Sequence, residues 1–169
     1  MVPYVIFLML LATLYILIYC SQKTTTNPPM DRRDGFSKVK NGCILLLTGK
    51  GRVLMVKERS GKWGLPGGNL HIGENPLTGA LREFTEETGW TLSTSPKSSF
   101  REYIYNSHTS IFRIHYPHKL VGFRKNNETI AAHFFKIDDL FNGNFENKGY
   151  TMRRCARNSF NKMRQDRFI

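Results

Sequence analysis

The segment from Gly61 to Trp90 does most to limit what this chain can fold into. A loop, Gly61-Lys62-Trp63-Gly64-Leu65-Pro66-Gly67-Gly68 followed by Gly73-Glu74, runs into a stretch that predicts a helix over 76–88. Pro76 suits the first turn, and Gly89 suits the left-handed conformation just past the end. Leu77, Leu81, Phe84 and Thr88 recur at helical spacing and predict the face that packs inward. Glu83, Glu86 and Glu87 stand at i, i+3 and i+4, so three carboxylates share one side of the helix. Negative charges near a helix C-terminus oppose its dipole and repel one another, and a bound dication supplies the missing compensation. Paired glycines let backbone approach a ligand closely and present a carbonyl where a side chain would obstruct it. The loop therefore reads as one wall of a metal and phosphate site.

Residues 2–20, VPYVIFLMLLATLYILIYC, carry no charged side chain. As a helix they would span about 28 Å, close to the roughly 30 Å hydrocarbon core of a bilayer. A core helix this apolar on every face would need a much larger protein around it. The run lacks a positive leading region and a small-residue cleavage motif, so the expectation is a retained transmembrane helix rather than a cleaved signal. Lys23, Arg32, Arg33, Lys38 and Lys40 follow it. The positive-inside bias then predicts a single-pass membrane protein whose catalytic domain faces the cytosol, with the lipid bilayer as partner through residues 2–20. Residues 21–37, with Thr-Thr-Thr-Asn-Pro-Pro and no helix or strand period, read as a tether. The remaining domain is expected over 38–169.

Within that domain, Cys43–Thr48, the turn Gly49-Lys50-Gly51 and Arg52–Lys57 predict a hairpin whose first strand is largely buried. Further strands are expected near 100–105, 109–116 and 131–137, with a closing helix from about 150 to 165. That order points to the α/β class, a mixed sheet with helices packed on it. Cys20, Cys43 and Cys155 form no CxxC pair and suggest neither a disulfide framework nor a zinc site. The formal charge is +12. Part of the excess lies in Lys148, Arg153, Arg154, Arg157, Lys162, Arg164 and Arg167, opposed there by Asp166. Such a field attracts an RNA backbone, a polyphosphate or an anionic membrane equally, and a solvated helix face with no partner reads the same way.

From Gly68 to Trp90 the order is Gly68, five residues, Glu74, seven residues, Arg82-Glu83-Phe84, one residue, Glu86-Glu87, one residue, Gly89-Trp90. This resembles the complete signature of the Nudix hydrolases, and the flanking Trp-Gly-Leu-Pro-Gly-Gly strengthens the likeness. The resemblance implies a Nudix-like α/β/α sandwich with mixed sheets and one to three Mg²⁺ or Mn²⁺ ions. It implies attack by water on a substrate in which a nucleoside diphosphate is linked to a further group. On this chain the implied metal ligands are the Gly67 carbonyl and the carboxylates of Glu83, Glu86 and Glu87. Arg82 would hold those carboxylates in place, Glu74 would support the packing of loop on helix, and Gly89 would close the helix. The family often places a further acidic ligand or base before the last sheet strand, where Glu128 stands here, and a solvated loop glutamate is the competing reading.

Hard divalent cations want oxygen ligands, and polyphosphate needs its charge neutralised before a nucleophile approaches phosphorus. Arg59, Lys62 and Gly68 are the candidate substrate contacts. His71 reads as a loop residue rather than a ligand, because the expected metals prefer oxygen. The sequence thus predicts a metal-dependent hydrolase of a phosphoanhydride bond, with a small nucleotide as first choice of substrate. An mRNA-cap hydrolase reaching RNA through the basic C-terminal helix, and a non-catalytic nucleotide-binding module, stay open as alternatives. No feature names a protein partner.

Overall fold

The turn at Gly49-Lys50-Gly51 reverses the chain, so strands β1 (Asn41–Thr48) and β2 (Arg52–Glu58) leave a common point. The computed structural model describes residues 39–92, 100–116 and 122–169, all of them in the compact unit Gly35–Ile169. β1 and β2 pair only beside the turn, at Leu47↔Val53 and Thr48↔Arg52, and then diverge. The wedge between them is filled by two short strands, β3 (Lys62–Gly64) against β2 and β4 (Gly67–Asn69) against β1.

The outer edges of the two diverging strands find other partners. β1 runs parallel to β6 (Thr109–His115), which pairs antiparallel with β5 (Arg101–Tyr105). β2 pairs antiparallel with β7 (Thr129–Lys136). A two-residue strand, β8 (Thr151–Met152), runs parallel to β3. The sheet is therefore mixed.

Helices cover both faces of it. Leu45, Leu47, Val53 and Met55 point to one side, where they pack with Phe160 and Met163 of α3 (Arg154–Gln165). Ile44, Leu46 and Leu54 point to the other and meet Ala80 and Phe84 of α1 (Pro76–Thr88). This explains why Ile44–Leu47 is an unbroken apolar run: alternate residues enter two cores, and neither face is left to solvent. A 3₁₀ turn at Asp138–Leu140 and the short α2 (Asn144–Asn147) lead from β7 toward the last strand and helix.

α1 matches its expected bounds, with Asn75 accepting from the Leu77 and Thr78 N–H groups and Gly89 closing the far end at φ 73°. Its rotation differs from the expected one. The buried stripe runs through Pro76, Gly79, Ala80, Phe84, Glu87 and Thr88, while Leu77 and Leu81 lie on the half-buried flank. Small residues explain the shift. A Cβ on Gly42 of β1 would lie 2.7 Å from the Pro76 carbonyl oxygen and 3.0 Å from the Ala80 nitrogen, so helix and strand backbones are nearly in contact. That approach turns Glu87 inward. The closing helix also starts later than expected, at Arg154, because Thr151 and Met152 first pair with Lys62 and Trp63.

The expectation of a transmembrane helix ahead of the sandwich is corrected. Among the described residues no helix is long and apolar enough to cross a membrane. The longer ones, α1 and α3, have 13 and 12 residues, about 20 Å against the roughly 30 Å required, and each has one apolar face committed to the sheet. Residues 2–20 and the 21–37 tether lie outside the described residues. Among the described residues the architecture is the α/β sandwich, and the bilayer partner, the single-pass localisation and the cytosol-facing orientation are withdrawn with the helix.

Gly42→Ala should force α1 off β1. An overpacked contact of this kind costs about 1–3 kcal/mol, so the midpoint of urea unfolding should fall, and an unchanged midpoint would show that the two backbones can separate freely.

Candidate active site

Because β4 is wedged into the fork, its backbone faces β1 on one side and the end of α1 on the other. Gly67 sits at φ 146°, and a Cβ there would lie 2.3 Å from the Gly42 carbonyl oxygen and 2.5 Å from the Cys43 Cα. No other residue fits. The Gly67 N–H donates to Glu87 Oε2 at 2.8 Å. A Cβ on Gly68 would lie 2.7 Å from the Glu83 carboxylate. The two glycines thus let bare backbone touch two acidic side chains of α1.

Arg82 organises the carboxylates around this point. Its Nε and Nη2 donate to the two oxygens of Glu74, each at 3.0 Å, and Nη2 also reaches the Asn69 carbonyl at 3.0 Å. Nη1 donates to Glu83 at 2.9 Å and to Glu86 at 3.2 Å. Glu74 accepts as well from the His71 N–H at 2.9 Å, so it ties the loop to the helix. The Arg82 hydrogen bonds, followed by the His71 N–H, pull the Glu74 carboxyl down to about 2.

Above the glycines lies a cleft of about 600 Å³ walled by Glu58, Glu83, Glu86, Glu87 and Glu128, with Arg59 and Arg153 as its cations. Glu87 is buried, and burial first, then the nearby charge of Glu83, pushes its carboxyl up to about 7 against the opposing pull of the Gly67 N–H. Glu128 is brought to the cleft by Asn126. The Asn126 side chain accepts from the Glu128 and Thr129 N–H groups at 2.8 and 2.7 Å and donates to the Glu86 carbonyl at 2.6 Å. Arg59, in the turn after β2, donates its N–H to the Glu128 carbonyl at 3.2 Å. A second cavity of about 170 Å³ adjoins the first, sharing Asn41, Gly67, Gly68 and Arg153, with Leu65, Tyr105 and Ile111 among its walls.

The structure therefore gathers Gly67, Gly68, Arg59, Glu83, Glu86, Glu87 and Glu128 around one cleft. Lys62 is not among them: it is exposed on β3, opposite Thr151. His71 is exposed in its loop, and His133 is exposed on β7 with its ring against Phe135. Glu58, Arg153 and Asn126 were not anticipated. Asn126 had a signal, since Asn-Asn-Glu-Thr suits an Asx turn. Glu58 and Arg153 are brought together across 95 positions of sequence, which no local pattern reveals.

The donor set fits a hard divalent cation, being carboxylate and carbonyl oxygen throughout, with one buried carboxylate short of positive charge. Among the described residues no group of three or more His, Cys, Asp or Glu side chains stands ready to close on a metal. The reason is visible in the contacts: Arg82 engages Glu83 and Glu86, and the Gly67 N–H engages Glu87.

Glu87 also makes stability depend on pH. Its carboxyl keeps a proton in the folded chain between its ordinary value of 4.5 and about 7. The unfolded chain has released that proton, so stability falls as pH rises through this interval. Glu87→Gln should remove that fall and, in chelator at pH 8, raise stability by on the order of 2–3 kcal/mol. Thermal unfolding from pH 5 to pH 8 checks this, and parallel profiles for the two proteins would show that Glu87 ionises at no cost.

A family model described as "NUDIX domain" matches residues 38–155. No curated protein sequence matches the chain. Among solved structures, a Nudix hydrolase from M. smegmatis is similar, with a TM-score of 0.56 at 16% identity over 76% of this chain and 84% of that one. The MutT protein from Methanosarcina mazei Go1 gives a TM-score of 0.51 at 18% identity over 76% and 94%. The E. coli dihydroneopterin triphosphate pyrophosphohydrolase gives 0.51 at 17% identity over 73% and 95%. These likenesses establish the fold. With the match over 38–155 they make the chain a member of the NUDIX domain family, a Nudix-type hydrolase of phosphoanhydride bonds in nucleotide-like substrates.

Proposed function

We propose that the cleft hydrolyses a small nucleoside-diphosphate-linked nucleotide, with Mg²⁺ or Mn²⁺ held by Glu83, Glu86, Glu87 and the Gly67 carbonyl. The observation that carries this reading is the charge of the cleft. Five carboxylates and two guanidinium groups line it, in a chain whose formal charge is +12. A basic protein attracts polyphosphate, yet this wall alone would repel it, and divalent cations reconcile the two. When bound, such cations supply the charge neutralisation that lets a water oxygen reach phosphorus.

The chain's own groups take the remaining roles. Arg82 positions Glu83 and Glu86, and Glu74 fixes Arg82 to the loop. Gly68 leaves room for the Glu83 carboxylate beside the backbone. Glu128, exposed at the rim, acts as a further ligand or takes a proton from the attacking water. Arg59 contacts phosphate, whereas Lys62 lies outside the lining of the cleft. The apolar walls of the adjoining cavity, Leu65, Tyr105 and Ile111, suit the uncharged end of a small nucleotide.

Cap hydrolysis draws no support from the C-terminal segment. Of its seven basic residues, Lys148, Arg157 and Lys162 form ion pairs within the chain, Arg164 stacks over Phe141, and Arg153 faces the cleft rather than the outer surface of the helix.

A screen of nucleoside triphosphates, dinucleoside polyphosphates, ADP-ribose, nucleotide sugars and capped RNA should show turnover of a small nucleotide that stops without Mg²⁺ or Mn²⁺. Folded, metal-supplied protein inactive across the whole panel would point to the non-catalytic binding module instead. Glu86→Gln should lower the rate on the order of 10²-fold or more with the fold retained. Glu128→Gln separates the two readings of that residue, since full activity would return it to ordinary surface.

A further inference from the structure

Two cavities meet at the Gly67-Gly68 backbone, one walled by carboxylates and the other largely apolar. Among the described residues Arg153 is the cationic side chain that lines both. It stands just ahead of α3, where its N–H donates to the Trp63 carbonyl at 2.8 Å. Its side chain runs over Gly64, where a Cβ would lie 3.0 Å from Arg153 Cδ, so glycine leaves the track open. At the far end Nη1 donates to Glu58, and Nη2 lies 3.5 Å from Cys155 Sγ. The side chain is 34% exposed. The guanidinium is thus held in place, reachable from the cleft, and has donors to spare among its five N–H groups.

We propose that Arg153 is a substrate-binding residue that grips the phosphate lying at the junction of the two cavities, with Glu58 as its counter-ion in the free protein. The inference rests on the phosphoanhydride reading of the cleft. A guanidinium matches the oxygen geometry of phosphate with paired, charge-assisted hydrogen bonds. Glu58 lines the same cleft, so an arriving phosphate meets its negative charge and competes with it for Arg153. The competing account is a structural ion pair that fastens the start of α3 to the end of β2. The two accounts differ in sign. If the pair is structural, removing either partner has the same consequence. If Arg153 binds phosphate, losing Arg153 weakens the ligand and losing the Glu58 charge strengthens it.

The test is calorimetric titration of inorganic pyrophosphate, in Mg²⁺, into the full chain and its Arg153→Gln, Arg153→Lys and Glu58→Gln variants, with thermal midpoints as the control for folding. Arg153→Gln should weaken binding about tenfold or more, the scale of a charge-assisted hydrogen bond. Arg153→Lys should fall between, keeping charge without the paired geometry. Glu58→Gln should tighten binding several-fold. Should Arg153→Gln fail to fold, Glu58→Gln decides alone. Affinities that move together in the Arg153→Gln and Glu58→Gln variants, or an unchanged or weaker affinity in Glu58→Gln, would overturn the proposal. If the wild-type chain binds pyrophosphate while these variants disagree with the proposal, only the role of Arg153 falls. If it neither binds pyrophosphate nor hydrolyses any nucleotide of the panel, the phosphoanhydride reading falls and this role with it.

Discussion

The shortness of the pairing between β1 and β2 is the constraint on which the rest of the structure depends. Two strands joined by a tight turn ordinarily zip along their length, each satisfying the backbone groups of the other. Here only Leu47↔Val53 and Thr48↔Arg52 do so. The groups left open beyond them must find other partners, and residues 62–69 supply them as two short strands set into the gap. A loop on the surface would be free to move. This one is held by hydrogen bonds on both sides, so the glycines it carries are presented at a fixed place. The helix that follows has no choice of seat either, since Gly42 brings it against β1 until the backbones nearly touch.

Electrostatics then follow from packing. Rotation of α1 onto its small residues takes Glu87 into the interior, where its carboxylate accepts from the Gly67 N–H. A backbone dipole compensates a carboxylate only in part, and the raised proton affinity of Glu87 measures the shortfall. Glu74 is the opposite case, saturated by Arg82 and the His71 N–H. Two glutamates thirteen positions apart thus differ in ionisation because one meets a guanidinium and the other meets burial. The first serves as scaffold, and the second is left needing charge from outside.

Much of this was legible in the sequence, and the limits are physical. The bounds of α1 followed from Pro76 and Gly89, and the long strands from their apolar runs, because those signals are local. Of the expected inward face of α1, Phe84 and Thr88 are fully buried while Leu77 and Leu81 pack at its edge, because the closest approach is made at Gly79 and Ala80, whose value lies in what they allow rather than what they bury. β3, β4 and β8 are two or three residues long, too short to carry a period. The carboxylates of the site were readable as a group because one helix carries three of them. Arg153 and Glu58 were not, because they meet only after the sheet and α3 have assembled.

The fork has a consequence for how the chain can change over generations. Only Leu65 and Pro66 connect β3 to β4, and both strands are already paired to walls that cannot shift independently. Because successive residues of a strand face opposite ways, one inserted residue here would reverse the facing of every group after it. Gly67 would turn its N–H away from Glu87, and a residue with a side chain would take its place against Gly42. Elsewhere the chain can lengthen by bulging outward, as surface loops do. Between these two strands the two-residue link leaves an added residue no room to bulge outward without disturbing the pairing of β3 or β4.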